Sequence, residues 1–482
     1  MKIFSITKIL LTAALGLLLA SCVSLGPDYE SPKWDGPETW STDNAPAGSP
    51  LADGAPWWSV FNDPVLDALE TALLAQNPSL AATIARLDAS AAQLGIARAD
   101  YAPSLDVSAS VNYDRQTGEV RTSTKYPNNP DWLYKPGISF QWELDFWGRV
   151  RRNVESASAE FSASAQDVRS SRLILSASLA SSYISLRTLQ ARLDYAQKNV
   201  ALQTKTLDLV RTRYETGLSG ELDLRQAEMN LASTRANIPP IEAKIDAALH
   251  SIAILVGGYP GSQEALRKAA PVPLPEEATL PSSVPADVLR NRPDVAAAAH
   301  RIHAAVASIG AAKAEFFPKI SLNGSFAFSA VGTSRLFTSN AQNYSIGPVV
   351  EWPIFTAGRL RNQVRSYEAS ARAAEEDFRQ TVLTAACECE TALSSHRAAN
   401  AVLADLRAAV TAAENANNLA ESLYRSGLTD FQNVLDMQRQ LASNQDNLAQ
   451  GIGFAASALI DVWQSFGGPT SSQAVESESE KH

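Results

Sequence analysis

Cysteine, histidine and positive charge are all scarce in this chain, and each scarcity removes a class of function. Its 482 residues hold three cysteines and five histidines. Cys387 and Cys389 are two apart in a helical stretch, where i and i+2 side chains diverge, so neither a mutual disulfide nor a shared metal is expected. The one close histidine pair, His300 and His303, sits in an alanine-rich stretch with no Cys or carboxylate at ligand spacing. No metal and no cofactor are therefore expected. With 41 Lys and Arg against 51 Asp and Glu, the net charge is −10, and the basic footprint of a nucleic-acid binder is absent. Also absent are a nucleophile elbow, a phosphate-binding glycine loop and a Cys/His ligand cluster, so an enzyme reading has no residues to carry it.

A membrane-spanning helix is missing as well. The apolar run from Ile9 to Ala20 falls short of the roughly 20 residues a spanning helix needs. It follows Lys2 and Lys8 and leads into Leu19-Ala20-Ser21-Cys22, the layout of a secretory signal that ends in a lipobox. Cleavage before Cys22 leaves 461 residues with an acylated N-terminus and, by removing two lysines, moves the net charge from −10 to −12. Val23 stands where an aspartate commonly signals retention at the inner membrane, so sorting to the outer membrane, with Cys22 as the lipid anchor, is expected.

What the chain does have is a duplication, and a repeat has to be recognised before local structure is read. Asn77-Pro78 recurs as Arg292-Pro293, Gly95 as Gly310, and Ala97 to Pro103 as Ala312 to Pro318, all 215 residues apart. Further on, Gly137 matches Gly347, Trp142 matches Trp352, Gly148-Arg149 matches Gly358-Arg359, and Tyr214 with Gly217-Leu218 matches Tyr424 with Gly427-Leu428, all 210 apart. The five-residue difference falls between Pro103 and Gly137, in a loop, where insertions are tolerated. The organisation expected is a signal at 1–21, a lipidated extended segment at 22–62, a first repeat at 63–256, a Gly/Pro-rich linker at 257–284, a second repeat at 285–466 and a polar tail at 467–482.

Each repeat carries two periodicities. After Pro103, Leu105, Val107, Ala109, Val111 and Tyr113 alternate with polar residues, and the return through Ile138, Phe140, Trp142 and Leu144 alternates too. Strands are thus expected at about 103–115 and 134–145, and in the second copy at about 318–329 and 343–354. Their length of about 9 to 11 residues suits a strand that crosses an outer membrane. Four strands cannot close a barrel, because lipid tolerates no open sheet edge. Several chains must share one barrel.

Between Gly148 and Gly217 the period changes to alternate steps of four and three, from Phe161 through Val168, Leu179, Leu186, Leu193 and Leu207 to Tyr214, which is a heptad seam. No proline interrupts it. A helix of some 65 residues at about 1.5 Å each is a rod near 100 Å long. The second rod, Gly358 to Gly427, has smaller seam residues, including Ala371, Ala385, Ala392 and Ala399. After each turn glycine a further helical stretch of some 35 residues is expected, reaching Val256 or Trp463, and stretches of about 24 begin at Pro78 and Pro293.

These marks together resemble the TolC-type outer-membrane efflux family, in particular its OprM/NodT-like lipoprotein branch. They are the lipobox, Trp57-Trp58 with Phe61 and Asp63-Pro64, Asn77-Pro78, Trp142-Glu143-Leu144-Asp145 with Gly148-Arg149, Arg292-Pro293-Asp294, and both Tyr-x-x-Gly-Leu turns. The resemblance implies an α+β membrane protein, a homotrimer whose 12-stranded β-barrel continues into a 12-helix periplasmic α-barrel. It also implies docking to a periplasmic adaptor protein and to an inner-membrane pump of the resistance-nodulation-division class. The function implied is the exit duct of a tripartite efflux system. An outlet for a type I protein or peptide secretion system and a non-conducting lipid-tethered coiled-coil spacer are the alternatives.

The family's gate lies at the periplasmic helix ends, and the residues at its positions here are Asp223, Tyr424, Thr429, Asn433 and Asp436. A closed-state latch between Asp223 and Tyr424 is the reading the resemblance suggests; the other is a solvated aspartate and a tyrosine of the seam. Thr429 stands where the family often has an arginine partner, and only Asp436 survives of two acidic rings, the other position being Asn433. The turns Gly217-Leu218 and Gly427-Leu428 are the expected adaptor contacts. On the strands, Asp106, Glu143, Asp145 and Glu351 either line a hydrated lumen or lie beyond the hydrocarbon zone.

Overall fold

The computed structural model describes residues 24–32, 55–114, 131–275, 280 and 285–468. The signal segment, Cys22 and all but the first two residues of the tail lie outside the described residues. The first copy contains α1 (Pro64–Gln76), α2 (Pro78–Ala99), β1 (Ser104–Asp114), β2 (Asp131–Leu144), α3 (Arg149–Glu215), α4 (Glu221–Ala236) and α5 (Ile238–Leu255). The second contains α6 (Pro285–Asn291), α7 (Pro293–Ala314), β3 (Lys319–Phe328), β4 (Ala330–Val331), β5 (Gln342–Glu351), α8 (Arg359–Arg425) and α9 (Phe431–Ser465). Among the described residues no helix is long and apolar enough to cross a membrane.

The two long helices, 67 residues each, stop at twin glycines. Gly217 and Gly427 have φ of 74° and 72°, a left-handed conformation that favours glycine. There the Leu218 amide donates to the Arg213 carbonyl (2.7 Å) and the Leu428 amide to the Leu423 carbonyl (2.9 Å), which satisfies carbonyls that the helix end would otherwise orphan.

The returning helices differ between the copies. In the second, α9 runs unbroken for 35 residues, as its pattern predicts. In the first, the helix breaks at Asn237 into α4 and α5. The reason is Pro239-Pro240, which removes two consecutive amide donors. The sequence reading also has no counterpart for α1, whose N-terminus is capped by the Asp63 carboxylate accepting from the Val65 (2.8 Å) and Leu66 (3.3 Å) amides.

The chain divides into two compact units. One comprises residues 1–32, 87–164 and 297–378 and contains the sheet. All its main strands are antiparallel, in the order β1-β2-β3-β5, with β4 paired to the end of β2. The central β2–β3 pair joins the two copies. Register places Val107 opposite Ile138, Ile138 opposite Phe326, and Phe326 opposite Tyr344, so the apolar residues of all four strands share one face. The other face carries Ser108, Ser139, Ser325 and Ser345, offset by one residue.

The same unit holds Ser24 to Pro32, part of the segment expected to be merely extended. It has no regular structure, yet it is fastened to α3 and α7. Arg152 donates to the Leu25 carbonyl (3.3 Å) and pairs with Asp28 (2.6 Å), while Tyr29 stacks on His303 with ring centroids 4.3 Å apart. Gly26 crosses Gly310 so closely that a Cβ on it would come within 2.5 Å of the Gly310 backbone.

The second unit, residues 33–86, 165–296 and 379–482, has a core built around the middle of α3. Leu179, Ala180, Tyr183, Ile184 and Leu186 are buried there against Trp57, Leu66, Leu73 and Ile252. Tyr183 donates to Asp63 (2.7 Å), and the buried Arg187 and Gln190 donate to the carbonyls of Lys268 (2.9 Å) and Leu266 (2.8 Å). The Asp63-Pro64 motif and part of the linker are thus tied to one helical stretch. In α8 the buried residues follow the heptad and include Ala371, Ala385, Ala392 and Ala399.

Candidate functional site

A sheet whose apolar face is exposed is the first functional feature. Val107 is 81% exposed, Ile346 70% and Tyr344 77%. Face and edges together are incompatible with water on the apolar side, and β1 and β5 both end the sheet with unpaired edges.

At the base of the sheet the predicted carboxylates have specific work. Glu143 takes a bidentate pair from Arg149 (2.8 and 2.7 Å) and a third contact from Lys319 (3.0 Å). Asp145 accepts the Val150 and Arg151 amides (3.0 Å each) and so caps the start of α3. Both carboxylates are therefore engaged by neighbouring donors. Asp106 is exposed on the polar face, and Glu351 lies in register with Lys319. Trp142 and its twin Trp352 donate to the carbonyls of Tyr101 (2.9 Å) and Phe316 (3.0 Å), tying each strand end to the short helix that precedes its hairpin.

The second feature is the far end of the helices, where α3, α4, α8 and α9 form a small core of their own: Leu207, Val210, Leu224, Leu231, Ala420, Tyr424, Phe431 and Leu435. Tyr424 is 3% exposed, packed on Phe431 (5.4 Å between ring centroids). Its twin Tyr214, also placed on the seam by the heptad, is 40% exposed. The difference lies in the neighbours. The Arg213 guanidinium lies 4.8 Å over the Tyr424 ring and donates to the carbonyls of Tyr424 (3.0 Å) and Arg425 (3.2 Å), so it grips the end of α8 from the end of α3. The position equivalent to Arg213 is Leu423, which has neither charge nor donor.

The structure brings Asp223 and Tyr424 into one neighbourhood without bonding them. The Tyr424 hydroxyl is buried and, among the described residues, makes no hydrogen bond to Asp223. Burial pushes its pKa up, and the nearby Asp223 carboxylate pushes it further. Thr429 accepts from Asn433 (2.8 Å), and the Asn433 amide is capped by Asp430 (3.2 Å). Asp436 accepts from Gln432 (3.1 Å) and faces Arg439 at 3.8 Å. Leu218 and Leu428 stand 67% and 75% exposed on the turns. Arg213 is the tip residue the sequence reading missed, although the asymmetry between Arg213 and Leu423 is visible in the repeat.

Polar pairs, two of them buried, join the two copies above the tip. Gln438 on α9 donates to Thr206 on α3 (2.8 Å), Asn199 donates to Gln445 (2.9 Å), and Arg192 meets Asp446 at 2.6 Å. Cys389 is buried, its thiol donating to the Ser465 carbonyl (3.1 Å), whereas Cys387 is exposed. Among the described residues no group of three or more His, Cys, Asp or Glu side chains converges as a metal site would need.

The chain thus combines a duplicated hairpin whose apolar face is exposed with two uninterrupted 67-residue helices, which sets it in the class of outer-membrane proteins. The family described as outer membrane efflux protein matches residues 69–258 and 284–468, and the chain belongs to that family and to the outer membrane. The chain is 32% identical over 442 residues to nodulation protein T of Rhizobium leguminosarum bv. trifolii, covering 92% of this chain and 93% of that one. It is 30% identical to outer membrane protein OprJ of Pseudomonas aeruginosa, over 94% of each. Among solved structures, the outer-membrane channel OprN superposes with a TM-score of 0.85 at 31% identity, covering 92% of this chain and 99% of that one.

Proposed function

We propose that this chain is the outer-membrane exit duct of a tripartite efflux system, passively conducting small molecules delivered by an inner-membrane resistance-nodulation-division pump through a periplasmic adaptor. The observation that carries the reading is the sheet: one face apolar and exposed, the other serine-rich, and both edges open. Such a sheet is stable in lipid only when copies close it into a ring around water. Three copies supply twelve strands and twelve helical columns, and acyl chains on Cys22 anchor the ring.

The four-helix tip is the gate. Asp223 and Tyr424 form the latch of its closed state, Asp436 supplies one acidic ring beside Thr429 and Asn433, and the exposed Leu218 and Leu428 on their glycine turns receive the adaptor. Reconstitution of the purified protein in planar bilayers tests the duct. It predicts ion conductance; an assembled protein that carries no current would be a spacer.

A further inference from the structure

A groove of about 760 Å³ lies in the second unit, where the end of α9 meets the start of α7, and it is bordered by α3 and α8. The two long helices contribute twin positions to it, among them Leu173 and Leu383. Ile174 of α3 is 49% exposed and Leu383 of α8 is 58% exposed, so the groove offers apolar surface to whatever enters.

Its charge sets it apart. One cation, Arg292, and three carboxylates, Asp294, Glu388 and Asp461, line it. The positions that repeat these four in the first copy are Asn77, Ser79, Ser178 and Ser251, none of which is charged. The charge therefore belongs to one joint and not to the repeat. The cation is already committed, since Arg292 pairs with Asp294 (2.8 Å) and Glu388 (2.7 Å) and donates to the Ser465 carbonyl (2.8 Å).

Asp461 is left over. Among the described residues it makes no ion pair or hydrogen bond, and the helices crowding it push its carboxyl pKa up with no cation to oppose the rise. A carboxylate that has lost part of its water and gained no counter-charge is stabilised by a ligand that brings one. A bare metal ion does not suit the place: among the described residues no three His, Cys, Asp or Glu side chains converge, and Ile174 and Leu383 offer a hydrated ion nothing.

We infer that this groove binds an organic cation with an apolar body, its charge set against Asp461 and its body against Ile174 and Leu383. Apolar walls with one or two placed polar groups are the usual make-up of a small-molecule site. Every lining residue belongs to one chain, so the assignment does not depend on the duct reading.

Cys387 lines the same groove and is exposed, which makes it a native reporter. Cys389 does not compete with it, because burial pushes that thiol up to about 11 and its hydrogen is given to the Ser465 carbonyl. The test treats the purified full-length protein in detergent with N-ethylmaleimide, a neutral reagent, and follows modification of the Cys387 peptide by mass spectrometry. Tetraphenylphosphonium is the probe, and tetraphenylborate, an anion of the same shape, is its control.

Saturating tetraphenylphosphonium should block the modification, and tetraphenylborate should leave its rate unchanged. Asp461→Asn should raise the concentration needed for half protection roughly tenfold, the loss of one partly buried ion pair, and Asp461→Glu should keep it near the natural value. Asp461 is exposed, so neither substitution disturbs the core. Equal protection by both ions, protection that persists in Asp461→Asn, or an unchanged rate overturns the assignment. A Cys387 that the reagent never reaches overturns it too, because the groove is then closed. None of these results involves current, so the duct stands or falls separately.

Discussion

The Asn77 side chain donates to the Leu255 carbonyl (2.7 Å), and its repeat twin Arg292 donates to the Ser465 carbonyl (2.8 Å). The two acceptors are themselves twins, the last residues of α5 and α9. One device therefore fastens the returning helix to the start of the short helix in both copies, with an amide in the first and a guanidinium in the second. Asn77 also caps α2 through the Leu80 amide (2.9 Å), whereas Arg292 adds pairs to Asp294 (2.8 Å) and Glu388 (2.7 Å).

Arg292→Ala removes a side chain that is 9% exposed, leaves the Ser465 carbonyl only the weak Cys389 thiol donor and strips Asp294 of its cationic partner. Breaking a buried pair costs about 3 to 5 kcal/mol, and the half-exposed Glu388 lowers that here to about 2 to 3 kcal/mol. Chemical unfolding of the detergent-solubilised protein should show the loss. Arg292→Lys recovers little of it, because an ammonium cannot reproduce the bidentate fork.

Glu70 on α1 makes stability depend on pH. Burial pushes its carboxyl from 4.5 up to about 8, with Ser176 beside it working the other way and Asp67 adding to the rise. Between these pH values the folded chain keeps a proton that the unfolded chain has released. Stability therefore falls as pH rises from 4.5 to 8 and is level above that. At about 1.4 kcal/mol per pKa unit the full effect is up to about 5 kcal/mol. Unfolding midpoints across this range should decline in the natural protein and stay level in Glu70→Gln.

At the tip, Asp223→Ala or Tyr424→Phe should raise the single-channel conductance of the purified oligomer. Unchanged conductance in both would remove the latch. Arg213→Ala should raise it too, because the grip on the Tyr424 and Arg425 carbonyls goes with the guanidinium.

The two faces of β2 should differ sharply in their tolerance of charge. Ile138→Lys places an ammonium on the apolar face, where such a change costs about 2 to 4 kcal/mol near the bilayer midplane. Ser139→Lys places it on the polar face. Yield of folded oligomer in the outer membrane should fall in the first and hold in the second.

The parts of this fold that obey a local rule were legible in the sequence. Helices α3 and α8 end within two residues of Gly217 and Gly427 because a left-handed glycine stops a helix whatever surrounds it. The strands were legible because period two survives in every copy of the hairpin. What was hidden depends on contacts distant in sequence. The grip of Arg213 on α8, the fastening of Asp28 by Arg152 and the capped α1 beneath Tyr183 join residues more than 100 positions apart. The exposure of Tyr214 was hidden for a related reason: a heptad marks a face as apolar but does not say whether a neighbour covers it.

The measurement closest to the central claim is the effect of a charged, water-soluble thiol reagent on single-channel current through Ser325→Cys and Phe326→Cys proteins, each with Cys387→Ser. Ser325 shares a hydrogen with Ser345 (3.0 Å) on the serine-rich face, and Phe326 is its neighbour on the apolar face. If copies of this sheet enclose a water-filled duct, the reagent cuts the current through Ser325→Cys and leaves Phe326→Cys unchanged. Equal effects at both positions, or no current from either assembled protein, would contradict it.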